Sequence, residues 1–281
     1  VRWCARCRDP QVRLDHGMDA PLELPEWLGS ALGPATTADP GAGRDVSKRV
    51  FDFDPARQAA PGAPAFAGVR VYPEALSAAE VDRLIGEIEA LPFLPSQSGK
   101  QKQHFGPRFN FTRRRMNADR FEGLPAWAHP LEARLRDCVA RDDRGDPADR
   151  SACLAALAAY TTTDVFVLRY FEAERSNLDF HVDDLHAYGE AILDVSLDAD
   201  SVLTFLGPAN DPTGDLVCIR VPLPARSIAV VYGAARFAWQ HAILAGDVRG
   251  TRTSITLRTL GPDLRASDAG QRVLERARQA L

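Results

Sequence analysis

Apolar residues recur along this chain with two different periods, and the change from one to the other falls near residue 164. Before it, Val81, Leu84, Ile85 and Ile88 repeat at helical spacing in "SAAEVDRLIGEIEAL". Ser77, with Glu80 three positions on, supplies a capping box that marks the helix start, and Pro92 ends the pattern. Further helical segments are predicted over 130–142 and 150–160. After residue 164 the pattern changes to short strand-like runs: "DVFVLRYF", "DFHVD", "AILDVSL", "SVLTFLG", "LVCIRVPL", "SIAVVYG" and "RTSITLRTL". Turn residues separate them at intervals of roughly ten, which predicts a sandwich or barrel of about seven or eight strands, paired antiparallel. The closing "ASDAGQRVLERARQAL" predicts a last helix.

Composition divides the chain further. Residues 21–66 are rich in Pro, Gly and Ala without sustained periodicity and read as a linker, leaving a short cysteine-bearing segment over 1–20, a main domain over 67–263 and a C-terminal helix over 264–281. With 34 Lys+Arg against 38 Asp+Glu, no whole-chain field argues for nucleic acid or membrane, so a charged partner must meet a local patch. No apolar run approaches the roughly 20 residues that span a bilayer, and no membrane association is expected. Five scattered cysteines do not resemble a secreted disulfide framework, and an intracellular, reducing compartment, cytoplasm or nucleus, is expected. The chain opens "VRWCARC" without a methionine and reads as a fragment or processed product. Cys4 and Cys7 have a spacing that zinc uses, but a tetrahedral site needs four ligands and no second pair follows.

Candidate chemistry sits in three separated places. In "FHVDD", strand alternation puts His181 and Asp183 on one face and Asp184 on the other, so one imidazole and one carboxylate can meet a single metal. His186 has the wrong parity and falls beyond the strand. A third ligand must come from His104, His129 or His241, and His241 follows an apolar run from which a neighbouring strand can deliver it. Two imidazoles and one carboxylate leave open positions on iron, the arrangement of non-haem Fe(II) oxygenases. The third place is "RTSITLR", where Arg252, Ser254, Thr256 and Arg258 share a strand face. An arginine aimed into a β core needs an anion, and a dicarboxylate meets that need bidentately.

HxD, a distal His and an RxSxTxR strand in this order resemble the AlkB-type Fe(II)/2-oxoglutarate dioxygenases, whose pattern has Asn where Ser254 stands. "SQSGKQKQHFGPRFNF", "HVDDLHAYGE" and "VPLPARSIAVVYGAARFAWQHAI" are similar to the AlkB homologue four branch, and "CARC" resembles the end of a longer cysteine motif there. The resemblance implies an α+β protein with a double-stranded β-helix, or jelly roll, and N-terminal helices packed outside it. It implies iron held by His181, Asp183 and His241, and 2-oxoglutarate held by Arg252, Arg258, Tyr170 and the region of Ser254. Dioxygen is the other cosubstrate, the products are succinate and carbon dioxide, and a hydroxylated N-methyl group collapses to formaldehyde and amine. For substrate the resemblance implies a methylated lysine in a protein such as actin, or N6-methyladenine in DNA.

Residues 100–115, "KQKQHFGPRFNFTRRR", combine six Lys/Arg with three Phe and no acid, a mix suited to phosphates and stacked bases and equally to a solvated basic loop. Two other function classes compete with the enzyme: an inactive scaffold for a cytoskeletal or nucleic-acid partner, and a structural metal protein without turnover.

Overall fold

The computed structural model describes residues 50–63, 66–111, 113–207 and 217–281. In chain order its strands are β1 (Val50–Asp52), β2 (Val69–Tyr72), β3 (Leu94–Pro95), β4 (Gln101–Phe105), β5 (Arg108–Asn110), β6 (Arg115–Asn117), β7 (Asp164–Phe171), β8 (Leu178–His181), β9 (Tyr188–Ser196), β10 (Ser201–Gly207), β11 (Val217–Leu223), β12 (Ser227–Tyr232), β13 (Gln240–Ile243) and β14 (Thr251–Leu260). The helices are α1 (Ala78–Glu89), α2 (Ala128–Arg141), α3 (Pro147–Ala158), α4 (Gly233–Phe237), α5 (Pro262–Ala266) and α6 (Asp268–Ala277).

The strands form a larger sheet in the order β2-β12-β9-β14-β7-β4-β3, a smaller one in the order β1-β11-β10-β13-β8, and a β5-β6 hairpin. Strands β7 to β14 divide four and four between the two sheets, as β12-β9-β14-β7 and β11-β10-β13-β8. Each of these pairings is antiparallel. This is a two-sheet antiparallel sandwich, as the run of short strands predicted, and it is the jelly roll that the resemblance implied.

Strand alternation gives the larger sheet two apolar faces. Val165, Val167, Leu193, Val195, Ile255 and Leu257 face outward and pack on Leu84 and Ile88 of α1, Leu131 and Leu135 of α2 and Leu157 of α3. Ala229, Val231 and Tyr170 face inward against Leu203, Phe205, Ile219 and Val221 of the smaller sheet. Helix α1 begins as expected: the Ser77 hydroxyl accepts from the Glu80 amide, and Glu80 reaches back to the Ser77 amide. Helix α3 starts at a capping Asp146 with Pro147 in its first position.

Two boundaries differ from the composition-based reading. The end of the expected linker joins the fold: Val50–Asp52 pairs parallel with β11, Phe53 is buried, and Phe66 sets its ring edge-on to Phe205 and Trp239. Three aromatic residues in an Ala/Pro-rich stretch supply enough apolar surface to dock it. The single C-terminal helix is divided at Ser267, whose hydroxyl caps α6 by accepting from the Gly270 amide. Cys4, Cys7 and the remainder of the linker lie outside the described residues. Among the described residues no helix is long and apolar enough to cross a membrane.

Candidate metal centre and cosubstrate pocket

His181 is the last residue of β8, and His241 lies directly opposite it on β13. Antiparallel pairing therefore brings residues 60 positions apart into contact, with ring centroids 4.4 Å apart. The strand ends at His181, before the Val182 and Asp183 that "DFHVD" would include. Asp184 causes the break, because its carboxylate accepts from the amides of His186 and Ala187 and folds the chain into a turn. Asp183 thus reaches the site from a loop rather than by strand alternation, with its Oδ2 3.4 Å from His241 Nε2. One ligand-type atom from each of His181, Asp183 and His241 lies within 4.8 Å of the others. His186 stays outside this group, as its parity predicted.

The surroundings prepare these three side chains for a cation. His181 Nδ1 donates to the Asp179 carbonyl at 2.8 Å, which leaves Nε2 as the lone-pair nitrogen and fixes the ring. Burial and the neighbouring His241 push the His181 imidazole down to about 4, so it is neutral at ordinary pH. Burial by itself would raise the Asp183 carboxyl, but Arg258 and the two imidazoles outweigh it and hold the group well below the usual carboxylate range. Asp183 Oδ1 accepts from Arg258 Nη2 at 2.9 Å. Its Oδ2 and His241 Nδ1 are buried without a hydrogen-bond partner among the described residues.

Strand β14 places its residues as the alternation predicted. Arg252, Ser254, Thr256 and Arg258 lie opposite Tyr170, Leu168, Phe166 and Asp164 of β7. Arg252 is 2% exposed and sits 5.2 Å above the Tyr170 ring, yet its Nε and Nη1 have no partner among the described residues. Burial lowers its pKa, although Tyr170 and Asp194 oppose this. Tyr170 is itself buried, and its hydroxyl is pushed up to about 12. Ser254 is buried opposite Ser196 on β9. Arg258 completes a different pairing from the one expected: besides lying beside the pocket, it clamps one oxygen of Asp183.

Several participants have no obvious sequence motif. Asp179 holds His181 through its backbone carbonyl, while its carboxylate accepts from Asn177. Asp194 on β9 accepts from the Thr256 hydroxyl at 2.8 Å within the pocket wall. Arg236 of α4 is 1% exposed and donates to the carbonyls of Asp183, Asp184, Tyr188 and Gly189, so one guanidinium holds the loop that carries Asp183. Its signal was a lone arginine inside the apolar stretch "GAARFAW".

No protein-family model matches the chain. The DNA N6-methyl adenine demethylase of Caenorhabditis elegans is 26% identical over 196 residues, 70% of this chain and 61% of that protein. The human alpha-ketoglutarate-dependent dioxygenase alkB homolog 4 is 26% identical over 307 residues, 98% of this chain and 90% of that protein. The chain is similar in sequence to these AlkB-type dioxygenases. It spans 61% of the length of the nematode relative. The solved structure of OsALKBH1 overlays with a TM-score of 0.47 at 14% identity, covering 70% of this chain and 100% of that one. The AlkB-type relatives are named as 2-oxoglutarate-dependent enzymes, and the His181, Asp183 and His241 cluster is compatible with the iron such enzymes use.

Beside the cluster, a groove of about 760 Å³ is lined by Lys102, His104, Arg108, Phe109, Phe111, Arg120, Phe166 and Tyr188, with Glu122 as its one acidic lining residue among those described. Tyr188 and Phe166 also face Arg258, at 4.9 and 5.4 Å. The basic stretch 100–115 therefore lines this groove: it supplies β4, which lies between β7 and the short β3 in the larger sheet, and then enters the β5-β6 hairpin.

Proposed function

We propose that this chain is an Fe(II)/2-oxoglutarate-dependent oxidative N-demethylase acting on a macromolecule, with His181, Asp183 and His241 as the iron ligands. The observation that carries the reading is the buried Arg252 guanidinium, whose Nε and Nη1 have no partner among the described residues, on the same face of β14 as Arg258, which pairs with Asp183. A buried cation lacking an anion is costly, and a carboxylate of 2-oxoglutarate satisfies both donors at once. Iron with 2-oxoglutarate and dioxygen would supply the oxidising power to hydroxylate a methyl group on nitrogen.

The chain's own residues do the rest. Arg258 holds Asp183 in one orientation and the Asp179 carbonyl fixes the His181 ring, so the ligands are set before a cation arrives. Arg252 and Tyr170 receive the distal end of the cosubstrate, and the wall of Ser254, Thr256 and Asp194 lines its path. The two apolar faces around them keep bulk water out.

The groove favours nucleic acid, with N6-methyladenine in DNA as the substrate. Lys102, Arg108 and Arg120 suit a phosphate backbone, while Phe109, stacked with Phe111 at 5.9 Å, offers a face for a base. A methylated lysine in a protein such as actin is the second reading. It is favoured by Glu122 and by the Phe109–Tyr188 edge-to-face pair, which can receive an alkylammonium.

The test is anaerobic titration of the protein with Fe(II) and 2-oxoglutarate. A weak visible charge-transfer band is expected in the wild type and its loss in His181→Ala with the fold retained. Admitting air with methyladenine DNA or methyl-lysine peptide should then give succinate and a product lighter by one methylene. A wild-type protein that neither binds iron nor forms the band sinks the catalytic reading and returns the scaffold alternative.

A further inference from the structure

Resting on the demethylase reading, we propose that His104 and Asp164 form an acid–base pair that breaks down the N-hydroxymethyl product of hydroxylation. Removal of the methyl group requires two chemical events, and only the first uses the oxidant. The second is collapse of R–NH–CH2–OH: the O–H proton leaves, the C–N bond breaks with its electron pair going to nitrogen, nitrogen is protonated, and the C–O bond becomes the carbonyl of formaldehyde. One proton moves from oxygen to nitrogen and nothing is oxidised or reduced. On an exocyclic amine conjugated with a purine ring the step is slow without help, because the ring draws on the nitrogen lone pair and makes the nitrogen slow to take up the proton it needs in order to leave. A side chain that takes the proton from oxygen and returns it to nitrogen removes that obstacle, and imidazole is the side chain most often used for such transfers.

His104 has the geometry for this role. It is one of the groove-lining residues, with its side chain 25% exposed, and it stacks on Phe166 at 4.1 Å with the ring planes 14° apart. Its Nε2 lies 2.7 Å from Asp164 Oδ2, and the Asp164 side chain is fully buried. Nε2–H donates to that carboxylate, so Nδ1 is the basic ring nitrogen. A buried carboxylate that fixes the tautomer and supports the imidazolium is the arrangement by which acid–base histidines are oriented. The backbone accommodates the pair at Gly106: a Cβ there would come within 2.5 Å of Asp164 Oδ2. Asp164 also lies 3.7 Å from Arg258, the residue that clamps Asp183, so one guanidinium connects the pair to the metal cluster.

The experiment follows the fate of N6-methyladenine DNA with iron, 2-oxoglutarate and air, separating by mass the N-hydroxymethyl product (16 units heavier than substrate) from the free amine (14 units lighter). Wild-type protein should give mainly free amine and formaldehyde. His104→Gln should raise the ratio of hydroxymethyl product to free amine by about 100-fold, and imidazole added to His104→Ala should lower it again. Circular dichroism confirms the fold of each variant. An unchanged ratio in both variants, with succinate still formed and substrate still oxidised, overturns the role of the pair while leaving the demethylase reading intact. If the wild type forms neither product from the methylated DNA, the nucleic-acid demethylase reading falls, and the role of the pair with it.

Discussion

The two faces of the larger sheet each bury an arginine, and they treat it in opposite ways. On the outer face Arg70 of β2 is wholly buried, and every part of its guanidinium is used. Nε donates to the Tyr72 hydroxyl, Nη1 to Asp149, and Nη2 to Asp142 at 2.8 Å and to the Arg144 carbonyl at 2.7 Å. Tyr232 closes the group by donating to Asp149. This cluster ties α2, the turn after it and α3 to the sheet. On the inner face Arg252 is as deeply buried, but its Nε and Nη1 have no partner among the described residues. The same fold, using the same residue type in the same sheet, can satisfy a buried guanidinium completely. Where it leaves one incomplete, the missing group is expected to come from outside the chain, and unmet valence rather than burial or charge separates the site from the scaffold.

The comparison breaks most visibly on the outer face. Asp142→Ala removes one carboxylate from a fully buried pair and should destabilise the protein by about 3–5 kcal/mol in urea unfolding, while the KM for 2-oxoglutarate stays within about twofold of wild type. A variant of normal stability would mean that this cluster is not the clamp its geometry describes. The inner face should respond the other way round. Arg252→Met deletes a cation that lacks an anion in the free protein, so the ligand-free variant should be no less stable than wild type. Losing a charge-assisted pairing worth about 1.5–3 kcal/mol should raise the KM for 2-oxoglutarate by about 10- to 100-fold, one decade for each 1.4 kcal/mol. If Arg252→Met instead unfolds the protein as readily as Asp142→Ala, the two faces are alike and Arg252 is structural.

How much of this was legible depended on whether chemistry followed the local pattern. The alternation in "RTSITLR" placed four side chains on one face, and the register of β14 against β7 bears that out residue by residue. The helix capped by Ser77 and the succession of short strands were equally readable, because cap and period are local properties of the chain. His241 was readable as the favoured candidate from its place after an apolar run in the β half and from the resemblance, but its partner strand was not, since pairing of β13 with β8 is a long-range event that no local pattern encodes. For Asp183, alternation pointed to the residue that the structure brings to His181 and His241, but for a reason the structure replaces: the carboxylate hydrogen bonds of Asp184 end the strand first. Arg236 and Asp179 stayed hidden because they act through backbone carbonyls, which carry no residue identity. The composition of 50–66 concealed its docking, as Phe51, Phe53 and Phe66 were outnumbered by Ala, Pro and Gly.

The smallest expected difference is also the one that tests both faces in a single titration. Asp142 on the outer face and Asp194 on the inner face are carboxylates shifted in opposite directions. Burial would raise both. At Asp142 the hydrogen bonds from Arg144 and Arg70 outweigh burial and the pKa is lowered, whereas at Asp194 burial dominates the hydrogen bond from Thr256 and the pKa is raised. An unfolded Asp titrates near 3.9. For Asp142 the unfolded chain takes up the proton first as pH falls, so its contribution to stability is complete above about 4 and is lost on further acidification through the folded value. For Asp194 the folded chain holds the proton longer as pH rises. Its contribution is complete below about 4 and is lost between there and its raised folded value. Urea unfolding of the metal-free protein from about pH 3 to 7 should therefore show Asp194→Asn losing less stability than wild type as pH rises above 4, by on the order of 1 kcal/mol. Asp142→Asn should instead flatten the loss on the acid side. Parallel wild-type and Asp194→Asn profiles across that range would place Asp194 in a solvated environment and remove it from the wall of the cosubstrate pocket.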